Sequence, residues 1–191
     1  RTLRRMTPTV REIGGIPVRV LPADACHCFT AGGLRPEIYL SEGLLGSLSP
    51  ERLRAVLAHE EAHRRHRDGL WGGAVHAFYG LLPVPGSGAL LGAWEDAAER
   101  ACDRVAARTV GSVCLVAESL VDAGTRSGGA PWAGSPAFGT TAAKVEARVR
   151  ALLDADAAAS LPPVWPSVGG LLLALTLLGA ASPILAHLAE L

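Results

Sequence analysis

The sequence has no excess of either charge and almost no lysine. Its 18 basic and 18 acidic residues cancel to a formal net charge of zero at pH 7, and Lys144 is the only lysine. Proteins that bind nucleic acid through its phosphates carry a basic surface, and nothing in this balance indicates one. We therefore expect no direct contact with nucleic acid.

Cysteine is also scarce, and its spacing fits neither a disulfide framework nor a zinc ribbon. Cys26, Cys28, Cys102 and Cys114 form no CxxC pair. The triplet Cys26-His27-Cys28 could begin a metal site, but no second cluster completes a set of four ligands. We interpret Cys26 and Cys28 as a pair of small residues in or beside a strand.

Charged side chains are absent from residues 69–94, a run of 26 residues. A helix of that length could cross a bilayer. Pro83 and Pro85 lie in the middle of the run, however, and proline breaks a helix. The pattern predicts two short helices with a turn between them, either buried or dipping into a membrane surface.

A second uncharged run, residues 168–189, contains 22 residues and is long enough to span a bilayer. We predict a transmembrane helix here, preceded by a linker at residues 161–167; the alternative is a buried core helix. Lys144, Arg148 and Arg150 precede the run, so the positive-inside rule places the preceding domain in the cytoplasm.

The remaining pattern predicts a mostly helical α+β domain with a small sheet, over residues 1–160. The β-branched segments 16–21 and 37–41 indicate strands with a glycine-containing loop between them. After a short helix or turn, helices are predicted at about 50–67, 93–109, 110–123 and 141–159, with a flexible loop at 124–140.

The helix at about 50–67 carries the most informative motif. Ser49 and Pro50 are typical of a helix start. Leu53, Val56 and Leu57 recur with helical period, and continuing their stripe leads to Glu60 and His63. The face that points inward therefore changes from aliphatic to ionisable.

His59-Glu60-Glu61-Ala62-His63 is an HExxH sequence. Histidines at i and i+4 share one helix face, where two imidazoles can meet one zinc ion. Glu60 follows the first histidine and is placed to act as general base. The alternative is a charged solvated face, since arginines follow directly.

A catalytic zinc needs a third protein ligand. Glu99 and Asp103 lie four residues apart on the helix at about 93–109 and share a face. We assign Glu99 as the third ligand and Asp103 as a residue that orients the site. The alternative for Glu99 is an exposed carboxylate paired with Arg100 or Arg104.

The segments AVLAHEEAHRRHRD and W-x4-ERACDRVA resemble the BlaR/MecR family of integral-membrane zinc peptidases. They are more distantly similar to HtpX-type and CAAX-prenyl peptidases. The likeness covers about residues 16–153 and implies a gluzincin-like fold with one zinc per chain. It also implies that His59, His63 and Glu99 are ligands, Glu60 the base and Asp103 an orienting acid. No sensor domain or upstream membrane helices accompany it, so beta-lactam sensing is not implied.

The sequence thus predicts a zinc endopeptidase anchored in a bacterial cell membrane, with a protein or peptide substrate and a regulatory role. A BlaI-type repressor is a candidate partner, and the strand at 37–41 is a candidate edge for pairing with an extended substrate. The alternative is a signal transducer that uses the metal fold as a switch and cleaves itself or nothing.

Overall fold

The computed structural model describes residues 7–81, 87–126 and 142–154, which contain four strands and six helices. They belong to a compact unit that extends to Ala155. The strands are β1 Thr9–Ile13, β2 Ile16–Leu21, β3 Cys28–Ala31 and β4 Glu37–Ser41. The helices are α1 Glu42–Ser47, α2 Pro50–His66, α3 Asp68–Leu81, α4 Ser87–Val110, α5 Val113–Arg126 and α6 Ala142–Leu153.

The four strands form one sheet in the order β1-β2-β4-β3. β1 and β2 are a hairpin joined by Gly14 and Gly15, both with positive φ, as a tight two-residue turn requires. β2 pairs with β4 in parallel, and β4 pairs with β3 antiparallel. β4 is therefore an interior strand, and the expectation that it offers a free edge is wrong. Among the described residues, β3 is the edge beside the helices.

The helix α2 lies between the sheet and the other helices. One side of it joins a cluster that includes Leu53, Leu57, Val18, Ile38 and Leu40 from the sheet. The other side joins a second cluster, in which Ala55 and Ala58 of α2 lie with Ala106 and Ala107 of α4, Ala117 of α5 and Leu152 of α6. Alanine contacts let helix backbones approach closely. Because α2 packs on both sides, the HExxH motif that it carries is held in place.

The helix start predicted at Ser49 and Pro50 is confirmed. The Ser49 hydroxyl accepts the backbone N–H of Arg52 at the start of α2, and Pro50 is the first helical residue. The last residue of the helix is His66, and its C-cap, Arg67, has a left-handed backbone with φ +56°. The predicted strands 16–21 and 37–41 match β2 and β4, and the short helix after them is α1. The strands β1 and β3 were not predicted.

One prediction about the helices is wrong. The second half of the uncharged run does not form a separate short helix, because Ser87 to Val110 is one helix of 24 residues. Gly88 and Gly92 weaken a helix without ending it, and no proline follows within α4. The helix stops at Gly111, whose φ of +73° lets the N–H of the following residue, Ser112, also reach the Ala107 carbonyl, at 3.2 Å.

Several predictions concern residues outside the described ranges. These are the linker at 161–167, the transmembrane helix at 168–189, most of the loop at 124–140 and the end of the helix at 141–159. Within the ranges that are described, no helix combines the length and the apolar character needed to cross a membrane.

Candidate metal centre

The two histidines of α2 point toward each other at one place on its surface. Nε2 of His59 and Nε2 of His63 lie 3.0 Å apart, with side-chain exposures of 14% and 16%. Two nitrogen lone pairs at that distance repel each other unless a proton or a cation lies between them. The pair is therefore suited to hold a positive charge.

The helix α4 brings Glu99 to the same point. Its two carboxylate oxygens lie 3.5 Å from His59 Nε2 and 3.6 Å from His63 Nε2. The donor atoms of the three residues all lie within 4.8 Å of one another. Nitrogen and oxygen donors of a tetrahedral zinc site are about 3.3–3.4 Å apart, given bond lengths of about 2.0–2.2 Å. The three side chains fit a zinc ion with shifts of a few tenths of an ångström.

Each histidine has a carboxylate behind it. Asp103 Oδ1 lies 3.0 Å from Nδ1 of His59, at ion-pair distance but outside hydrogen-bond geometry. Asp68 Oδ2 lies 2.7 Å from Nδ1 of His63. Carboxylates placed against the outer nitrogen of a ligating imidazole fix its tautomer and orientation. Both rings thus present Nε2 toward Glu99.

A buried arginine from α6 holds the acidic side of this centre. Arg148 donates two hydrogen bonds to Asp103, at 2.8 and 2.6 Å, and its Nη1 lies 2.9 Å from Glu99. The planar guanidinium matches both oxygens of a carboxylate. The alternative of an exposed Glu99 paired with Arg100 or Arg104 does not agree with the structure, because Glu99 is only 20% exposed and lies at ion-pair distance from Arg148.

The charges in the centre are strongly coupled. Burial disfavours a charged His59, but the carboxylates of Asp103 and Glu99 outweigh burial and raise the pKa of His59 to about 10. Burial likewise opposes ionisation of Glu99, yet His59 and Arg148 lower its pKa well below the usual range. The carboxylates are therefore ionised, and a metal that binds here displaces the proton of His59.

The two glutamates between the histidines have different surroundings. Glu61 is bound by Arg64 and Arg65 on its own helix. Glu60 instead receives a hydrogen bond of 2.8 Å from Thr30 of β3, whose hydroxyl also lies 3.0 Å from the Glu60 carbonyl. Of the two, Glu60 is the one that lines the cleft.

The cleft in front of the centre has a volume of about 360 Å³. The edge strand β3 lines it through Cys28, Phe29 and Thr30, and helices α2, α3, α4, α5 and α6 contribute to the other walls. An extended chain entering the cleft would therefore run between β3 and the histidine pair. The predicted placement of Cys26 and Cys28 in or beside a strand is confirmed, because Cys28 begins β3.

The structure brings together all five residues singled out in the sequence, namely His59, Glu60, His63, Glu99 and Asp103. Four further residues contact these five and were not predicted as site residues, namely Thr30, Asp68, Cys102 and Arg148. Arg148 carried a signal, because Val145, Val149 and Leu152 surround it at helical spacing and mark its face as inward. Asp68 is the residue after Arg67, the left-handed C-cap of α2.

Comparisons with known proteins agree with this geometry. Residues 17–101 match the profile of peptidase family M48. Over 72 residues the chain is 38% identical to a Protease HtpX homolog of Methanocaldococcus jannaschii, covering 35% of this chain and 25% of that protein. The chain thus spans about a quarter of the length of the curated relative it matches. No solved structure matches it.

These likenesses support a metallopeptidase of the HtpX type. That type was the more distant of the resemblances drawn from the sequence, and the BlaR/MecR family is not specifically indicated. A mostly helical α+β domain with a small sheet fits the M48 match.

Proposed function

We propose that this chain is the catalytic part of a zinc-dependent endopeptidase, with His59, His63 and Glu99 as the ligands of one zinc ion. The observation that carries the proposal is the convergence of these donors on one point in the cleft that Glu60 also lines. M48 peptidases are metalloproteases, which agrees with a metal at this position. The reaction is hydrolysis of a peptide bond.

The residues divide the work between binding and proton transfer. Zinc, when bound, supplies a Lewis acid that polarises a carbonyl and makes water more acidic. Glu60 accepts the proton of the attacking water and returns it to the leaving amine. Thr30 binds one oxygen of Glu60, which leaves the other free to face the water. Asp103 and Asp68 hold the imidazoles, and Arg148 holds Asp103 and Glu99.

The edge strand β3 is the proposed binding site for the substrate backbone. Its outer edge has no strand partner among the described residues, and Phe29 and Thr30 line the cleft. A peptide that adds to such an edge is held through main-chain hydrogen bonds. It would lie along β3 with one carbonyl near Glu60.

We further propose that residues 168–189 anchor the domain in a bacterial membrane, with the catalytic part in the cytoplasm and a regulatory role. The support is the uncharged run of 22 residues and the basic residues before it. A BlaI-type repressor is a candidate partner in that role, on the sequence resemblance alone.

The substitution Glu60→Gln tests the mechanism. An amide keeps the shape of the side chain but cannot accept the proton, and general-base assistance is worth roughly 10²–10⁴ in rate. We expect a folded, zinc-loaded variant whose cleavage of an unfolded protein is slower by that factor. The measurements are zinc content, thermal melting and cleavage rate on the one variant.

Two controls make the result decisive. Glu61→Gln changes the neighbouring carboxylate, which is bound to arginines, and should leave the cleavage rate near that of the wild type. His63→Ala should lose the zinc. Wild-type cleavage by zinc-loaded Glu60→Gln contradicts the mechanism. Zinc binding without cleavage by the wild type favours the switch that uses the fold without catalysis.

A further inference from the structure

The His63 ring has a second group of donor atoms on the edge opposite the catalytic one. Its Nδ1 lies 2.7 Å from Asp68 Oδ2 and 3.4 Å from the sulfur of Cys102. The sulfur lies 3.6 Å from the same Asp68 oxygen. We refer to His63, Asp68 and Cys102 as the Cys102 cluster; their donor atoms all lie within 4.8 Å of one another.

The distances within the Cys102 cluster suit a metal ion that accepts sulfur. In a tetrahedral site with a metal–sulfur bond of about 2.3 Å, sulfur lies about 3.5–3.6 Å from the nitrogen and oxygen donors. The two sulfur distances, 3.4 and 3.6 Å, are close to that value for an ion of the size of zinc, and the larger cadmium ion requires them to lengthen by a few tenths of an ångström. The Asp68 and His63 atoms would have to separate by about 0.7 Å.

The electrostatic environment of Cys102 also favours a cation. Its side chain is fully buried. The carboxylate of Asp68 lies 3.6 Å from the sulfur, and Glu99 adds a second negative charge nearby. The negative field of the two carboxylates attracts a cation to the sulfur. The proposed hydrolysis has no use for this thiol.

We propose that the Cys102 cluster captures soft divalent cations such as cadmium, and that capture withdraws His63 from the catalytic centre. A neutral imidazole has one lone pair, so the ring ligates at only one edge at a time. When Nδ1 and Cys102 bind the cation, the thiol proton leaves to solvent and the ring proton resides on Nε2. Thiolate ligands select soft ions, whereas His59, His63 and Glu99 offer only nitrogen and oxygen.

The cation has a route to the cluster. Asp68 and His63 are partly exposed, and the exposed ring of His66 has its Nδ1 3.9 Å from the sulfur. The proposal concerns metal capture and does not depend on peptide cleavage.

The experiment is a cadmium titration of the zinc-loaded full chain. The ultraviolet charge-transfer band between thiolate and cadmium reports sulfur ligation, and a zinc-binding dye reports release of zinc. We expect the band to grow in step with zinc release, at one cadmium per chain. Cys102→Ser should abolish the band, and Cys28→Ser, which removes a thiol on β3, should retain it.

Each other outcome overturns the proposal. Zinc release without a band means that cadmium merely replaces zinc among nitrogen and oxygen donors. A band that persists in Cys102→Ser means that another thiol binds. If Cys102→Ser does not fold, Asp68→Asn replaces it, with cadmium affinity expected to fall roughly 10-fold or more. A cadmium affinity of Asp68→Asn equal to that of the wild type would also contradict the proposal. The band is readable even in a chain that cleaves nothing.

Discussion

At the scale of single residues, the position of Glu60 depends on a side chain from a different element. Thr30 donates to its carboxylate and lies beside its carbonyl, so strand β3 and helix α2 are joined at the proposed base. The sequence could predict His59, Glu60 and His63, because helical spacing alone puts them together. It could not predict Thr30, because β3 is only four residues long and its pairing with β4 is a tertiary property.

The substitution Thr30→Val tests this link. Valine keeps the shape but removes the hydroxyl, so Glu60 loses its partner while zinc stays bound. Changes to residues that orient a site typically cost roughly 10–100-fold in activity. We expect that loss in kcat with KM nearly unchanged, and recovery in Thr30→Ser. A kcat equal to that of the wild type in Thr30→Val, or no recovery in Thr30→Ser, would refute the role.

At the scale of elements, α6 contributes to the site from a distance of many residues in the chain. Its Arg148 is 45 residues beyond Asp103 and binds both oxygens of that buried carboxylate. The sequence predicted a helix here and named Arg148 only as one of the basic residues that precede the uncharged run at 168–189. Its inward direction follows from packing against α4 and α5, which the spacing of Val145, Val149 and Leu152 only hinted at.

The variants Arg148→Met and Arg150→Met compare the contribution of an arginine of the site to stability with that of an arginine on the surface. Removing one partner of a buried ion pair typically costs roughly 3–5 kcal/mol, because the other charge stays buried and unpaired. We expect that loss for Arg148→Met in denaturant unfolding. Arg150 pairs with Glu146 on an exposed face, at 70% and 69% exposure. Its loss should cost less than about 1 kcal/mol. Equal costs for the two variants would argue against a structural role for Arg148.

At the scale of the whole molecule, the described unit combines a four-stranded sheet and six helices around α2. The α+β class and most helices followed from periodicity and capping, since those signals are local. That residues 87–110 form one helix did not follow from these signals, because glycine alone does not mark a clear helix boundary. The anchoring of this unit to a membrane is a proposal that rests on residues 168–189.

Reporter fusions test the proposed anchor. A fusion placed after residue 191 should read outside the cytoplasm, and one placed after residue 160 should read inside. The reason is the uncharged length of the run and the basic residues before it. Cytoplasmic signals from both fusions would rule out the anchor.

The four-residue edge of β3 has a consequence for selectivity under the proposed function. A strand of that length is about 13 Å long, and only a chain already in extended form can pair along it. Helices and closed sheets have their backbone groups occupied and offer none to this edge. A target would thus be chosen by how often a segment of it opens, more than by the side chains it carries. The cleavage rate would then report the local folding stability of the target.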